Sequence, residues 1–227
     1  MAGESAQEAA QRASRIADEA IERQAQEVVA TIHDLGGSRL LGTCVGDVSV
    51  RIAGTDRFLA CWEMPFLQRL NVDQLLQATM DGEILHKRKH ATFSLQMHRA
   101  VYVQRPDVQA IVHSHAPFAT VLGVCELPIP PVTFDSLPFL DVPRVAPSAP
   151  SEVRWPQEVA EALADGASAA LLVHHGIVTV GTHLRQAVRR TLALEETARI
   201  LVIAHLLRQV PSTLAPEAVE ILGQALL

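Results

Sequence analysis

Arg105-Pro106-Asp107-Val108-Gln109-Ala110-Ile111-Val112-His113-Ser114-His115 is the stretch that decides the fold. Pro106 cannot continue a helix, so the helical pattern of residues 95–104 must stop before it. Ala110-Ile111-Val112 is a short apolar run of the kind that makes a buried strand. It leads directly into two histidines two residues apart. Positions i and i+2 of a strand point to the same face, so both imidazoles can reach one ion.

Downstream, residues 116–124 read as a helix. A stretch rich in proline follows, with Pro128, Pro130, Pro131, Pro138, Pro143, Pro147 and Pro150, which should wander over the surface or line a site. Residues 156–164 read as a helix and 169–173 as a strand. His174-His175-Gly176 comes next, with the glycine read as permitting a tight turn, and then a strand over 177–180. The long helix after it places Leu184, Val188, Thr191, Leu194, Ala198, Leu201, Val202 and His205 on one face. A last short helix begins near Ala215. Upstream, residues 4–34 form a polar amphipathic helix with Gly36-Gly37 as its stop. Val48, Val50 and Ile52 alternate with polar residues, Gly54-Thr55-Asp56 makes a turn, and residues 75–80 form another strand ended by Asp81-Gly82. The whole reads as one α/β domain with helices layered over a central sheet.

His175 resembles the pair at 113 and 115 in its position: it ends an apolar strand and precedes a glycine. Where the two strand ends meet at one sheet edge, three neutral imidazoles converge. Such a set suits zinc, manganese or iron and leaves coordination positions open for a substrate, as catalytic rather than structural sites do.

The bulk numbers narrow the function. A net charge of -6, with Lys87-Arg88-Lys89 the cationic cluster, argues against a nucleic-acid surface. No run of about 18 apolar residues exists to span a membrane. The N-terminus lacks the pattern of a secretory signal. Cys44, Cys61 and Cys125 are odd in number and far apart, which fits a reducing, cytoplasmic compartment. Small molecules are the expected partners.

Three segments carry a resemblance to a known family. They are Met97-His98-Arg99-Ala100-Val101-Tyr102 through His115, then His174 to Gly181 with Ala187, Leu194, Glu195 and Ala198, and, more weakly, Leu41-Gly42-Thr43 with Gly46-Asp47-Val48-Ser49-Val50-Arg51. Together they resemble the class II aldolase/adducin family over roughly residues 41–207. The resemblance implies a three-layer α/β/α domain with a mainly antiparallel central sheet over residues 41–227, with residues 1–40 as a helical extension packed on it. It implies one divalent metal ion per chain on His113, His115 and His175, and a homotetramer with sites at subunit interfaces.

The departures from the family pattern shape the chemistry. Ser94 stands where the sugar-phosphate aldolases carry an acid/base glutamate, and Phe134 where the fuculose-phosphate type has a proton-donating tyrosine. Thr92-Phe93 replaces paired serines, Asp47 an asparagine, and Glu63 a glycine in Ala60-Cys61-Trp62-Glu63. Two carboxylates would repel a phosphate. Decarboxylation needs no base, because the substrate carboxylate is already ionised. The expectation is therefore a decarboxylase of a small hydroxylated aromatic or heteroaromatic carboxylate. Trp62, Glu63, Phe93 and Phe134 would bind the substrate, with Phe118 a further aromatic. Arg88, Arg99 and Arg144 are candidates for its carboxylate, and Ser94 and His98 are the catalytic candidates. A non-haem iron oxygenase, a sugar-phosphate aldolase or epimerase, and a non-catalytic adducin-like protein stand as alternatives.

Overall fold

Apolar alternation becomes a sheet here because helices cover both of its faces. The computed structural model describes residues 6–37, 46–61, 69–85, 93–146 and 154–226. Among these, seven strands form one sheet: β1 (Gly46–Arg51), β2 (Arg57–Ala60), β3 (Leu76–Thr79), β4 (Ala110–Ser114), β5 (Arg144–Val145), β6 (Ala169–Leu172) and β7 (Gly176–Gly181). Their order is β3-β2-β1-β4-β7-β6-β5. All neighbours are antiparallel except β5 and β6. The helices are α1 (Ala6–Gly37), α2 (Phe93–Gln104), α3 (Pro117–Val124), α4 (Arg154–Ala162), α5 (Leu184–Leu206) and α6 (Pro216–Leu226).

α2 and α4 cover one face. Met97, Val101, Val159 and Leu163 pack there on Phe58, Leu76, Ile111, Val178 and Val180. The opposite face carries α1, whose Val28, Ile32 and Leu35 pack on Val48, Val50, Ala110 and Val112. α3 and α5 continue that layer, with Leu122, Leu194 and Leu201 against Leu171 and Ile177. Burying each such side chain stabilises the fold by about 1.5–3 kcal/mol. No helix among the described residues is long and apolar enough to cross a membrane.

β1 shows why these layers matter for the site. Val48 and Val50 meet α1 as the alternation predicts. The other face of β1 does not meet water, because α2 lies over it: Asp47 is 1% exposed and Ser49 is fully buried. The buried polar groups persist because α2 supplies their partners.

The proline-rich stretch is more regular than its composition predicts. Phe134–Phe139 forms a 3-10 helix with Pro138 inside it. Thr133 N–H donates to Ser136 Oγ at 3.2 Å, and Ser136 N–H returns to Thr133 O at 3.1 Å. Leu137 and Phe139 are buried, which gives the turn its hydrophobic anchor. α4 starts two residues before the expected Pro156, since proline is tolerated in a first helical turn.

Candidate metal centre

The sheet order brings the histidines together. β4 and β7 are antiparallel neighbours, with His113 opposite Val178 and Ser114 opposite Ile177. The C-terminal end of β4 therefore lies beside the start of β7. His115 follows the first and His175 precedes the second. The three-residue turn between β6 and β7 is closed by His175 N–H donating to Leu172 O at 2.9 Å. His174 carries the left-handed backbone of that turn, with φ +63°. Gly176 serves a different purpose from the one read in the sequence. Its backbone is not left-handed, but a Cβ there would lie 2.3 Å from Ser114 O and 3.1 Å from the His115 ring. It is glycine so that the two strand ends can touch.

The rings of His113 and His175 stack with centroids 4.9 Å apart. His115 stands edge-on to both, at 5.2 and 4.6 Å. One ligand nitrogen from each lies within 4.8 Å of the other two. His113 Nε2 and His115 Nε2 are buried with no hydrogen-bond partner among the described residues. An unmet buried polar atom costs about 1–3 kcal/mol, and a divalent ion between the rings would satisfy both. Burial, reinforced by the His113 charge, depresses the pKa of His115 to about 4. The same two causes, with His115 added, hold His175 at about 4. Both rings are thus neutral at physiological pH, the form that ligates metal. A histidine site able to coordinate a divalent metal is present.

A second layer backs the cluster. His113 Nδ1 lies 3.1 Å from Asp47 Oδ2, and Asp47 Oδ1 lies 2.8 Å from His98 Nε2. His98 Nδ1 is 2.7 Å from Ser49 Oγ, which is 2.8 Å from the Tyr102 hydroxyl. Burial pushes the Asp47 carboxyl up, but His113 and His98 more than offset it and hold it well below the usual carboxylate range.

Of the residues expected from sequence, the structure brings together His113, His115 and His175. Ser94 is buried in the first turn of α2, one turn before His98. His98 is 1% exposed with Asp47 and Ser49 at its two nitrogens, so it stands behind the cluster and not on its open side. Phe134 is 63% exposed and lines a small surface cavity with Gln186, Arg189 and Arg190, a group without any of the three histidines. Phe118 packs on the α3–α5 core. Arg99 Nε donates to Met80 O at 2.7 Å, and Arg144 binds Leu127 O. Trp62, Glu63 and Arg88 lie outside the described residues, and of Phe93 only its place at the start of α2 is described.

Three residues take roles that the sequence pattern does not assign them. Asp47, which the sequence places in a substrate pocket, is the first. Its registered partner across the β1–β4 ladder is His113, a pairing the sequence does not reveal without the strand order. Trp155, at the start of α4, meets the His175 ring at 5.3 Å, edge to face. Nothing in its local sequence points to the site. Glu195 on α5 accepts the N–H groups of Phe118 and Ala119 at 3.1 and 2.9 Å, so it caps the helix that follows His115.

Residues 26–202 match the family model of the class II aldolase and adducin N-terminal domain. The 3-oxo-tetronate 4-phosphate decarboxylase of Haemophilus influenzae is 31% identical over 160 residues, which is 68% of this chain and 75% of that one. The 5-methylthioribulose-1-phosphate/5-deoxyribulose-1-phosphate aldolase of Rhodospirillum rubrum is 34% identical over 122 residues. That match spans 52% of this chain and about half (53%) of the Rhodospirillum protein. Among solved structures, YgbL of Klebsiella pneumoniae, named as an aldolase/epimerase/decarboxylase candidate, superposes with a TM-score of 0.78. It is 30% identical, over 88% of this chain and 98% of that one.

Proposed function

Because the chain belongs to the class II aldolase/adducin family, we propose that it is a divalent-metal-dependent carbon–carbon lyase acting on a small phosphorylated oxo-acid by decarboxylation. The observation that carries this is the convergence of three imidazoles with two buried, unmet nitrogens. His113, His115 and His175 would hold the ion. When bound, it would supply Lewis-acid stabilisation of the negative charge that develops beside the breaking bond.

This corrects the expectation of an aromatic carboxylate. The relatives matched over the larger shares of their length are named for phosphorylated sugars and sugar acids, whereas one matched over 42% of its length is named for an aromatic acid. The case against phosphate rests partly on Asp47, but that carboxylate is buried with both oxygens at histidine nitrogens, so it stands behind the rings and a phosphate cannot touch it. The stacking argument also loses Phe118 to the core and Phe134 to the surface.

Within the lyases, Ser94 favours decarboxylation over aldol cleavage. A hydroxyl cannot take a proton at neutral pH as a carboxylate does. In decarboxylation the bond to the carboxylate carbon breaks, carbon dioxide leaves, and a proton from solvent adds to carbon. No base is called for. We also propose the homotetramer with sites at subunit interfaces, in which the exposed Phe134 side chain would reach a neighbouring chain's site. Sedimentation of the purified protein tests it.

The activity is tested on untagged protein with elemental analysis first. About one zinc, manganese or iron per chain is expected, lost in His113→Ala and His175→Ala. The loaded protein should then release carbon dioxide from a 3-oxo-tetronate 4-phosphate and fail to cleave a ketose 1-phosphate. Activity retained in His113→Ala would sink the site. Oxygen uptake dependent on iron would replace the lyase reading with the oxygenase.

A further inference from the structure

The proposed metal centre would use one nitrogen of His113. Its other nitrogen begins a line of buried polar groups that the proposed reaction does not employ. From His113 Nδ1 the contacts run to Asp47 Oδ2 at 3.1 Å, a hydrogen bond, and from Asp47 Oδ1 to His98 Nε2 at 2.8 Å, a close charge contact bent out of hydrogen-bond alignment. They continue from His98 Nδ1 to Ser49 Oγ at 2.7 Å and on to the Tyr102 hydroxyl at 2.8 Å. None of the five residues is more than 1% exposed, so bulk solvent does not reach the line.

With both rings neutral, one placement of protons serves every link. A carboxylate only accepts, so both rings beside Asp47 must donate to it. His113 then carries its proton on Nδ1 and His98 on Nε2. His98 Nδ1 is left bare, and it accepts from the Ser49 hydroxyl. The Ser49 oxygen in turn accepts from Tyr102. At the other end, His113 Nε2 is left with its lone pair facing His115 and His175.

We propose that Asp47 is a positioning residue, holding His113 in the Nδ1–H form that presents Nε2 to the ion and locking His98 in the Nε2–H form behind it. This rests on the metal reading of the three histidines. A carboxylate behind a ligating imidazole fixes its tautomer and raises its basicity. It also places negative charge next to three neutral ligands that bring none of their own. His98 acts through this line and touches no substrate.

An asparagine at 47, the residue of the sugar-phosphate aldolases, could not do the same in these surroundings. Its amide offers one acceptor and one donor face. With the oxygen at His113, the NH2 meets His98 Nε2, and the proton order through Ser49 and Tyr102 must reverse. With the oxygen at His98, the NH2 meets His113 Nδ1 and forces its proton onto Nε2, where a metal cannot bind.

Two measurements test this. The first is the long-range proton–nitrogen correlation spectrum of metal-free protein labelled with 15N-histidine, assigned through His98→Gln and His113→Gln. Wild type should show His113 as Nδ1–H and His98 as Nε2–H, and D47N should move at least one ring to the other form. The second is the affinity for Zn²⁺ by competition with a chelator, which D47N should weaken about 10–100-fold. Wild-type His98 in the Nδ1–H form would overturn the proposal even where D47N does not fold. Unchanged affinity and tautomers in D47N would overturn it while leaving the metal centre standing. A wild type that binds no Zn²⁺, Mn²⁺ or Fe²⁺ would remove the metal centre and this inference together.

Discussion

At the residue scale, Gly176 sets the tightest constraint on the site. An added Cβ would sit 2.3 Å from the carbonyl oxygen of Ser114, a backbone atom that cannot swing aside. The β4 and β7 ends must then separate, and His115 and His175 separate with them. Gly176→Ala should cost about 1–3 kcal/mol by overpacking and lower metal affinity well beyond what that loss of stability explains. Thermal unfolding together with chelator competition checks this. A variant that unfolds earlier yet binds metal as wild type does would show that the histidines do not depend on the strand contact. Sequence alone marked this glycine but gave it the wrong task, because φ and contact distance are tertiary facts. The left-handed residue is His174, which a reading of glycine as the permissive residue passes over.

At the element scale, the segment carrying His115 is fastened to α5 by Glu195. Both carboxylate oxygens are spent on the N-terminus of α3, where the helix leaves N–H groups unpaired. Burial pushes the Glu195 carboxyl pKa up, and the two N–H groups pull against that. Glu195→Ala strips both acceptors and should destabilise the chain by about 1–3 kcal/mol. That is a fall in melting temperature of roughly 2–4 °C per kcal/mol for a chain of this size. Glu195→Gln keeps one acceptor and should lose less. Melting temperatures equal to wild type in both variants would show that the cap carries no stability. Most elements could be read from pattern: helices over 95–104 and 116–124, the strand into His113, and the long face from Leu184 to His205. What pattern could not show was strand order. The polar positions Asp47 and Ser49 look like a solvent face until α2 is known to cover them, and only the β1–β4 register pairs Asp47 with His113. Aromatic residues chosen by type fared worse: Phe118 went to core, while Trp155, which does meet a site histidine, carried no sequence signal.

At the scale of the whole molecule, folding, metal and protons are linked. In the metal-free chain the pKa of His115 and His175 falls from 6.5 to about 4, with burial as the main cause. Unfolded, both rings would take protons near their ordinary value. Between those limits the unfolded chain binds more protons than the folded one, so stability rises with pH across the window and falls on acidification through it. The metal-free protein should therefore lose melting temperature steadily from about pH 6.5 down to about pH 4. The double variant His115→Gln, His175→Gln should flatten that part of the curve and leave the loss at lower pH, where Asp47 takes a proton in the unfolded chain but not in the folded one. A bound ion changes the curve again. It binds only the folded chain with neutral rings, adding about 2.7 kcal/mol at a free concentration one hundred times Kd. Acid displaces it through the same two histidines, so the loaded protein should start higher and fall more steeply with acid. Melting curves at half-unit pH steps, with and without chelator, read both effects at once. Parallel loaded and metal-free curves would mean that these two rings do not hold the ion.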